Sequence, residues 1–166
     1  KSKNLEVSID GFLKSKFRKH NISIIGDAVT KEDLEYKNKL SKKYESNKNV
    51  TFLGKIPHKD LPSLMNKFSY HINATPEGFY DKSVLEAISN GLFSFYANKD
   101  YDKHFKKDMH FLTKFELNQR SLTDVLNSVY EQKDKNILKV IEYSQLSVSN
   151  ESIHTIFERI VATVES

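Results

Sequence analysis

Lys82 and Glu86 stand four residues apart, directly after Asp81 and either side of Ser83-Val84, in a stretch that reads as the first turns of a helix. Side chains at that spacing share one helical face. The first N–H groups of a helix have no partner within it, and the aligned peptide dipoles add positive potential there, so such an end attracts anions. The amides of Ser83 and Val84, with the Lys82 ammonium beside them, therefore make a candidate phosphate site. Glu86 asks for different chemistry. A carboxylate repels phosphate and accepts from hydroxyl donors, so its fitting partner so near an anion site is a group such as a ribose diol.

The flanking elements are those needed to hold these residues at the edge of a sheet. Tyr70-His71-Ile72-Asn73-Ala74 is β-prone, long enough for a buried strand and too short for a helix. Thr75-Pro76-Glu77-Gly78 must turn, because proline fixes one φ and glycine permits a positive one. Asp81 is suited to cap a helix that carries Val84, Leu85 and Ile88 on its apolar face and stops at Gly91. Leu92 to Ala97 is then a second strand. Strand, turn, helix and strand in this order form a right-handed crossover between parallel strands, with the helix N-terminus at the carboxyl end of the sheet. The strand near Tyr70–Ala74 is expected at the centre of that sheet, with the site at its carboxyl end.

The run Asp81-Lys82-Ser83-Val84-Leu85-Glu86-Ala87-Ile88-Ser89-Asn90-Gly91 resembles the segment ending in "LEAMA-x-G" of the group 1 (family 4) glycosyltransferases, retaining enzymes of the GT-B fold that use nucleotide sugars. That segment usually carries two glutamates with seven residues between them, the second of which binds the nucleotide ribose. Glu86 matches the second. The first falls on Gly78, with Glu77 one residue out of register, as in a subset reading "G-x-x-D-K-x-V-L-E-A". Three further segments extend the likeness. Lys3-Asn4 resembles the end of a signature that follows a strand in "VGR"; Asn21 to Gly26 resembles the "IVG" strand, whose glycine lies near the diphosphate, although Asp27-Ala28-Val29 departs from its glycine-rich continuation; and Asn49 to Pro57 resembles "NVxFLGxVP", after whose glycine the nucleobase is received.

The resemblance thus implies an α/β fold, a Rossmann-like parallel sheet with helices on both faces, forming the carboxyl-terminal half of a GT-B glycosyltransferase. It implies one nucleotide-sugar (donor) binding domain over residues 1–166, belonging to a longer two-domain protein that transfers a hexosyl group with retention. Glu86 would bind ribose, Lys3, Lys82, Ser83 and Val84 the diphosphate with Gly26 near it, and Ile56 the base, while Gly78 and Phe79 would also belong to the donor site. No cofactor or metal is implied beyond the donor itself. Its further partners would be an amino-terminal domain and a glycan or lipid-linked acceptor, in the cytoplasm with peripheral association at the inner face of the membrane. Acceptor-side catalytic residues would lie on the other domain, leaving this chain able to bind donor but hardly to transfer sugar. A non-catalytic binding or interaction domain of the same fold is the alternative, suggested by Gly78, by Phe93 where proline is usual, and by the altered loop at Asp27.

Composition agrees with one soluble domain. The 166 residues are 38% hydrophobic and 29% charged, with no cysteine, which excludes a disulfide framework and a thiolate metal site. No apolar run reaches the length of a membrane span. The six histidines, His20, His58, His71, His104, His110 and His154, form no pair at helical zinc-ligand spacing, and His71 within its strand reads as a hydrogen-bonded core residue. Neither a nucleophile elbow nor a dinucleotide fingerprint is present. The net charge of +4 comes from lysine-rich stretches. Lys37 to Lys48 reads as a solvated helix face, while Lys99 to Lys107 follows a strand and can border the site. With no helix-turn-helix, finger or aromatic RNA-binding signature, nucleic acid is not an expected partner.

The remaining chain alternates helix and strand. Leu5, Val7, Ile9, Phe12, Leu13 and Phe17 form a near-helical stripe; Asn21 to Gly26 is a strand expected to be buried; Thr30 caps a helix from Lys31 to about Ser46 through Glu32 or Asp33; and Asp60 is expected to cap a helix over Leu61 to Phe68. His110 to Thr113 is a last short strand, followed by helices over Ser121–Gln132, Ile137–Ser144 and Ile153–Val164. The last of these is expected to leave its stripe, from Ile153 to Val164, only partly covered.

Overall fold

The structure, a computed structural model, describes residues 3–79, 81–103 and 111–132. Its elements in chain order are α1 (Leu5–Lys14), β1 (Ile22–Ile25), α2 (Lys31–Lys43), β2 (Val50–Gly54), α3 (Leu61–Met65), β3 (Tyr70–Asn73), α4 (Ser83–Ser89), β4 (Phe93–Tyr96), β5 (Leu112–Lys114) and α5 (Gln119–Glu131). Short 3-10 turns stand at Lys16–Lys19, His58–Asp60 and Lys99–Lys103. The helices proposed over Ile137–Ser144 and Ile153–Val164, and His104, His110 and His154, lie outside the described residues.

All strand pairs are parallel, as expected. β1 pairs with β2, Ile22 opposite Val50, while β3, β4 and β5 form a second group with Tyr70 opposite Phe93 and Ser94 opposite Leu112. The expected centre is corrected by one strand: β4 lies between β3 and β5. The reason is burial. Every residue of β4 is buried, whereas Tyr70, His71 and Ile72 are only half-buried. A parallel strand covered on both faces is what a sheet sandwiched between helices requires.

The main core joins Phe93 and Phe95 of β4 to Val84 and Ile88 of α4, Phe12 of α1, and Leu122 and Leu126 of α5. Phe17 closes one end, edge-on to Tyr70 and to Tyr130 with ring centroids 5.0 Å away in each case. A smaller cluster of Ile9, Leu40 and Tyr44 holds α1 and α2 together, with Ile24, Val50 and Phe52 against it. β1 is less enclosed than expected. Ile22, Ser23 and Ile24 are half-buried, and Ile25 is 37% exposed.

Local signals explain most boundaries. Thr30 and Asp33 make a reciprocal capping box at α2, with Asp33 rather than Glu32 as the partner. At the end of α4, Gly91 takes φ 76, so that its N–H reaches the Ile88 carbonyl at 2.9 Å and that of Leu92 the Ala87 carbonyl at 2.9 Å, a Schellman closure. The first stripe is broken by Ser15, whose Oγ accepts from Phe17 N and donates to Phe12 O, so that Phe17 lies in a separate 3-10 turn. The expected cap at Asp60 is corrected. Its backbone is already helical at φ −96 and ψ −11 within the turn His58–Asp60, so its side chain makes no cap bond, and α3 stops at Met65 rather than Phe68.

Candidate functional site

β3 ends in Asn73, whose buried amide organises the turn that follows. Its Nδ2 donates to Ser83 Oγ at 3.0 Å and to Asp81 Oδ2 at 3.2 Å, and its Oδ1 accepts from the Thr75 N–H at 3.1 Å. Asp81 Oδ1 accepts from Ser83 N at 3.0 Å, so Asp81 does cap α4, from one residue further out than the helical boundary. Lys3 then pairs with Asp81 Oδ2, and Asn4 Nδ2 donates to the Ala74 carbonyl at 2.9 Å. Two residues far apart in sequence are in this way brought to the carboxyl end of β3. Burial raises the Asp81 carboxyl, but the bond from Lys3, the Ser83 amide and the Lys3 charge outweigh it and hold the group below its usual value.

This network revises one expectation. The Ser83 amide, read as open to phosphate, is occupied by Asp81. Lys82 is exposed at the start of α4, and Val84 is fully buried by its side chain. Glu86 is half-exposed, with Oε1 3.5 Å from Nε2 of the exposed His58. It does not point into the core. His58 belongs to the turn after β2, so Glu86 faces the segment that includes half-buried Ile56. Gly26, at φ 130, donates its amide to the Gly54 carbonyl at 2.9 Å, which spends that N–H on extending the β1–β2 pair.

The turn between β3 and α4 is clasped by the segment after β4. Asp100 Oδ2 accepts from Gly78 N at 2.7 Å, Asn98 Nδ2 donates to Phe79 O at 3.0 Å, and Lys99 pairs with Glu77 at 3.1 Å. Tyr101, fully buried, donates to the Asp81 carbonyl and lies 3.1 Å from the Asp81 amide. Phe79 itself remains 55% exposed. Of the Lys99–Lys107 stretch, Lys99 does border this edge. The sequence reading missed Asn73, His58, Asp100 and Tyr101. Asn98-Lys99-Asp100 carries a turn signal, since Asn98 Oδ1 accepts from Asp100 N at 2.7 Å, but nothing local reveals where that turn docks.

His71 Nδ1 lies 3.3 Å from Ser94 Oγ, in agreement with a hydrogen-bonded interior role. Burial pushes its imidazole down to about 4, with the nearby Asp81 opposing and Lys3 reinforcing that effect.

No protein-family model matches the chain, and no curated protein matches it by sequence. Solved structures do match in fold. The catalytic domain of cholesterol-α-glucosyltransferase from Helicobacter pylori superposes with a TM-score of 0.65 at 19% identity, over 90% of this chain and 92% of its own. HepE of Anabaena in complex with UDP and glucose gives a TM-score of 0.72 at 20% identity, over 99% of this chain and 45% of its own. The pneumococcal O-GlcNAc transferase GtfA in complex with UDP and GlcNAc gives 0.64 at 10% identity, over 99% of this chain and 34% of its own. The chain spans less than half the length of the last two. Parallel strands in register, helices packed against them and these superpositions together show that the chain has the α/β fold of these glycosyltransferase structures.

Proposed function

We propose that this chain is the donor-binding domain of a glycosyltransferase, holding a nucleoside-diphosphate sugar whose hexosyl group passes with retention to a glycan or lipid-linked acceptor. The observation that carries the proposal is the convergence of Lys3, Asp81 and α4 at the carboxyl end of β3, with Glu86 turned from α4 toward the segment after β2. On this reading the cations serve the diphosphate, the Glu86 carboxylate the ribose and the segment after β2 the base. Glu86 accepts from ribose hydroxyls, Ile56 and its neighbours meet the base, and Lys3 and Lys82 face the diphosphate. As the glycosidic bond breaks, negative charge grows on that leaving group, and fixed cations stabilise it more than they stabilise the ground state. The fold likeness to structures in complex with UDP and a sugar supports the reading. The acceptor site belongs to a further, amino-terminal domain, and the complete protein works at the inner face of the membrane; among the described residues no helix is long and apolar enough to cross one.

Calorimetric titration with UDP and GDP tests it. Glu86→Ala should lose about 1.5–3 kcal/mol for each strong bond to the ribose. Lys82→Ala should weaken diphosphate binding alone, by an amount that shrinks as salt is raised. A Glu86→Ala protein that melts early yet binds normally would sink the ribose assignment.

A second reading, a non-catalytic module of the same fold, is favoured by the occupied amides of Gly78 and Ser83, which leave fewer free donors for phosphate than the turn could offer. Absence of any nucleotide binding in the same titration would favour it.

A further inference from the structure

Among the described residues the acids around the turn between β3 and α4 are paired with cations, Glu77 with Lys99 at 3.1 Å, Asp81 with Lys3 and Asp102 with Lys114, whereas no ion pair reaches Asp100. Its charge is nevertheless fixed in place. Asp100 Oδ2 accepts from the Gly78 amide at 2.7 Å, which the left-handed Gly78 backbone, at φ 80, presents without strain. The Asp100 amide donates to Asn98 Oδ1 at 2.7 Å, and Asn98, fully buried, holds the Phe79 carbonyl through its Nδ2 at 3.0 Å. On the other side Tyr101, also fully buried, donates to the Asp81 carbonyl. With both neighbours anchored, the carboxylate has little room to move.

This uncompensated charge borders the anion end of the proposed donor site. Tyr101 joins Asp100 to Asp81, and Asp81 pairs with Lys3, one of the two cations assigned above to the diphosphate. A fixed carboxylate there opposes the ligand beside it, and the opposition grows with that ligand's own charge. The donor and what remains of it after transfer differ in this respect. In a sugar nucleotide both ends of the diphosphate are esterified, whereas the nucleoside diphosphate left behind has a free terminal phosphate, which takes on about one further negative charge near neutral pH. Repulsion from Asp100 therefore falls harder on the product. We propose that Asp100 is a specificity-determining residue that favours the sugar nucleotide over the nucleoside diphosphate formed from it, and so assists release of that product. This rests on the donor-binding reading above.

The test titrates UDP, UDP-glucose, GDP and GDP-glucose into the wild-type chain, Asp100→Asn and Asp100→Ser at neutral pH, each with its melting temperature. Both replacements keep an oxygen for the Gly78 amide and remove the charge. The nucleoside diphosphate that binds the wild-type chain should bind the variants about fivefold more tightly, its sugar ester by about twofold or less, and the difference should shrink as salt is raised. A gain in affinity is the outcome that a merely structural role would not give. Weaker binding of both ligands, with early melting in both variants, would make Asp100 a clasp of the turn only and overturn the proposal. A loss confined to the sugar nucleotide would make it a contact to the sugar and overturn it too, as would a ratio between the two ligands unchanged from the wild-type chain. If neither UDP nor GDP nor their sugar esters bind the wild-type chain, the donor-binding reading itself fails and this proposal falls with it; if they bind and the ratio does not move, only this proposal falls.

Discussion

Asp81 and His71 show how a residue's neighbours set its charge at this site. Asp81 stays ionised because Lys3, the Ser83 amide and Asn73 all donate to it. Its depressed pKa contributes stability above the ordinary carboxyl range, and that stability is lost as pH falls through the folded value. His71 acts in a higher window. The unfolded chain takes up a proton near the ordinary 6.5, whereas burial delays uptake in the folded protein until about 4. Unfolding therefore binds a proton between these values, and stability falls as pH is lowered across them, by about 3 kcal/mol at most. Melting temperatures measured from pH 7 to pH 5 should fall in the wild-type chain. The fall should be shallower in His71→Asn, which keeps a polar partner for Ser94; equal slopes would show that other groups set the acid response.

At the scale of elements, the position of α1 depends on close approach to α5. A Cβ built on Gly11 would lie 2.7 Å from Leu122 Cδ2 and 2.9 Å from its Cγ, and Leu122 is fully buried with nowhere to retreat. Thr123 Oγ1 adds a bond to the Gly11 carbonyl at 3.2 Å. Alanine would gain about 1 kcal/mol in helix propensity, but overpacking a full core costs about 1–3 kcal/mol. Gly11→Ala should therefore lower the melting temperature despite the better helix former. An unchanged or higher value would mean that α5 can move away freely. α1 and α2 are also joined at the surface. Lys43 donates to Glu6 at 3.2 Å and to Asp10 at 3.0 Å, so part of the lysine-rich stretch read as a solvated face instead ties two helices together.

For the whole molecule, the chain carries the donor half of the proposed chemistry and spans 45% of HepE. Its expected behaviour is binding without turnover. Incubated with UDP-glucose and a lipid-linked or glycan acceptor, the 166-residue chain should bind nucleotide and yield no transfer product if, as proposed, the acceptor-side groups lie on a further domain. Product formed by this chain alone, detected by mass spectrometry, would move the acceptor chemistry into it. Added salt should weaken diphosphate binding, since Lys3 and Lys82 are largely exposed and their charges are screened.

The sequence by itself determined the alternation of strand and helix, the parallel crossover from Tyr70 to Ala97, the capping box at Thr30 and the closure at Gly91. All of these follow from periodicity and from cap residues that act within a few positions of themselves. Lys82, Ser83, Val84 and Glu86 could be placed together because they share one helix start. Tertiary structure alone decided the rest. Which strand is central depends on what covers each face, and a run of four or five apolar residues reads the same at the edge as in the middle. The pairing of Lys3 with Asp81, the approach of His58 to Glu86 and the delivery of Asp100 to the Gly78 amide each join segments that no local rule connects. Asp100 shows the difference most plainly: position 78 lacks a carboxylate in the sequence, and the fold supplies one across two loops, because parallel strands in register bring their following turns to the same edge.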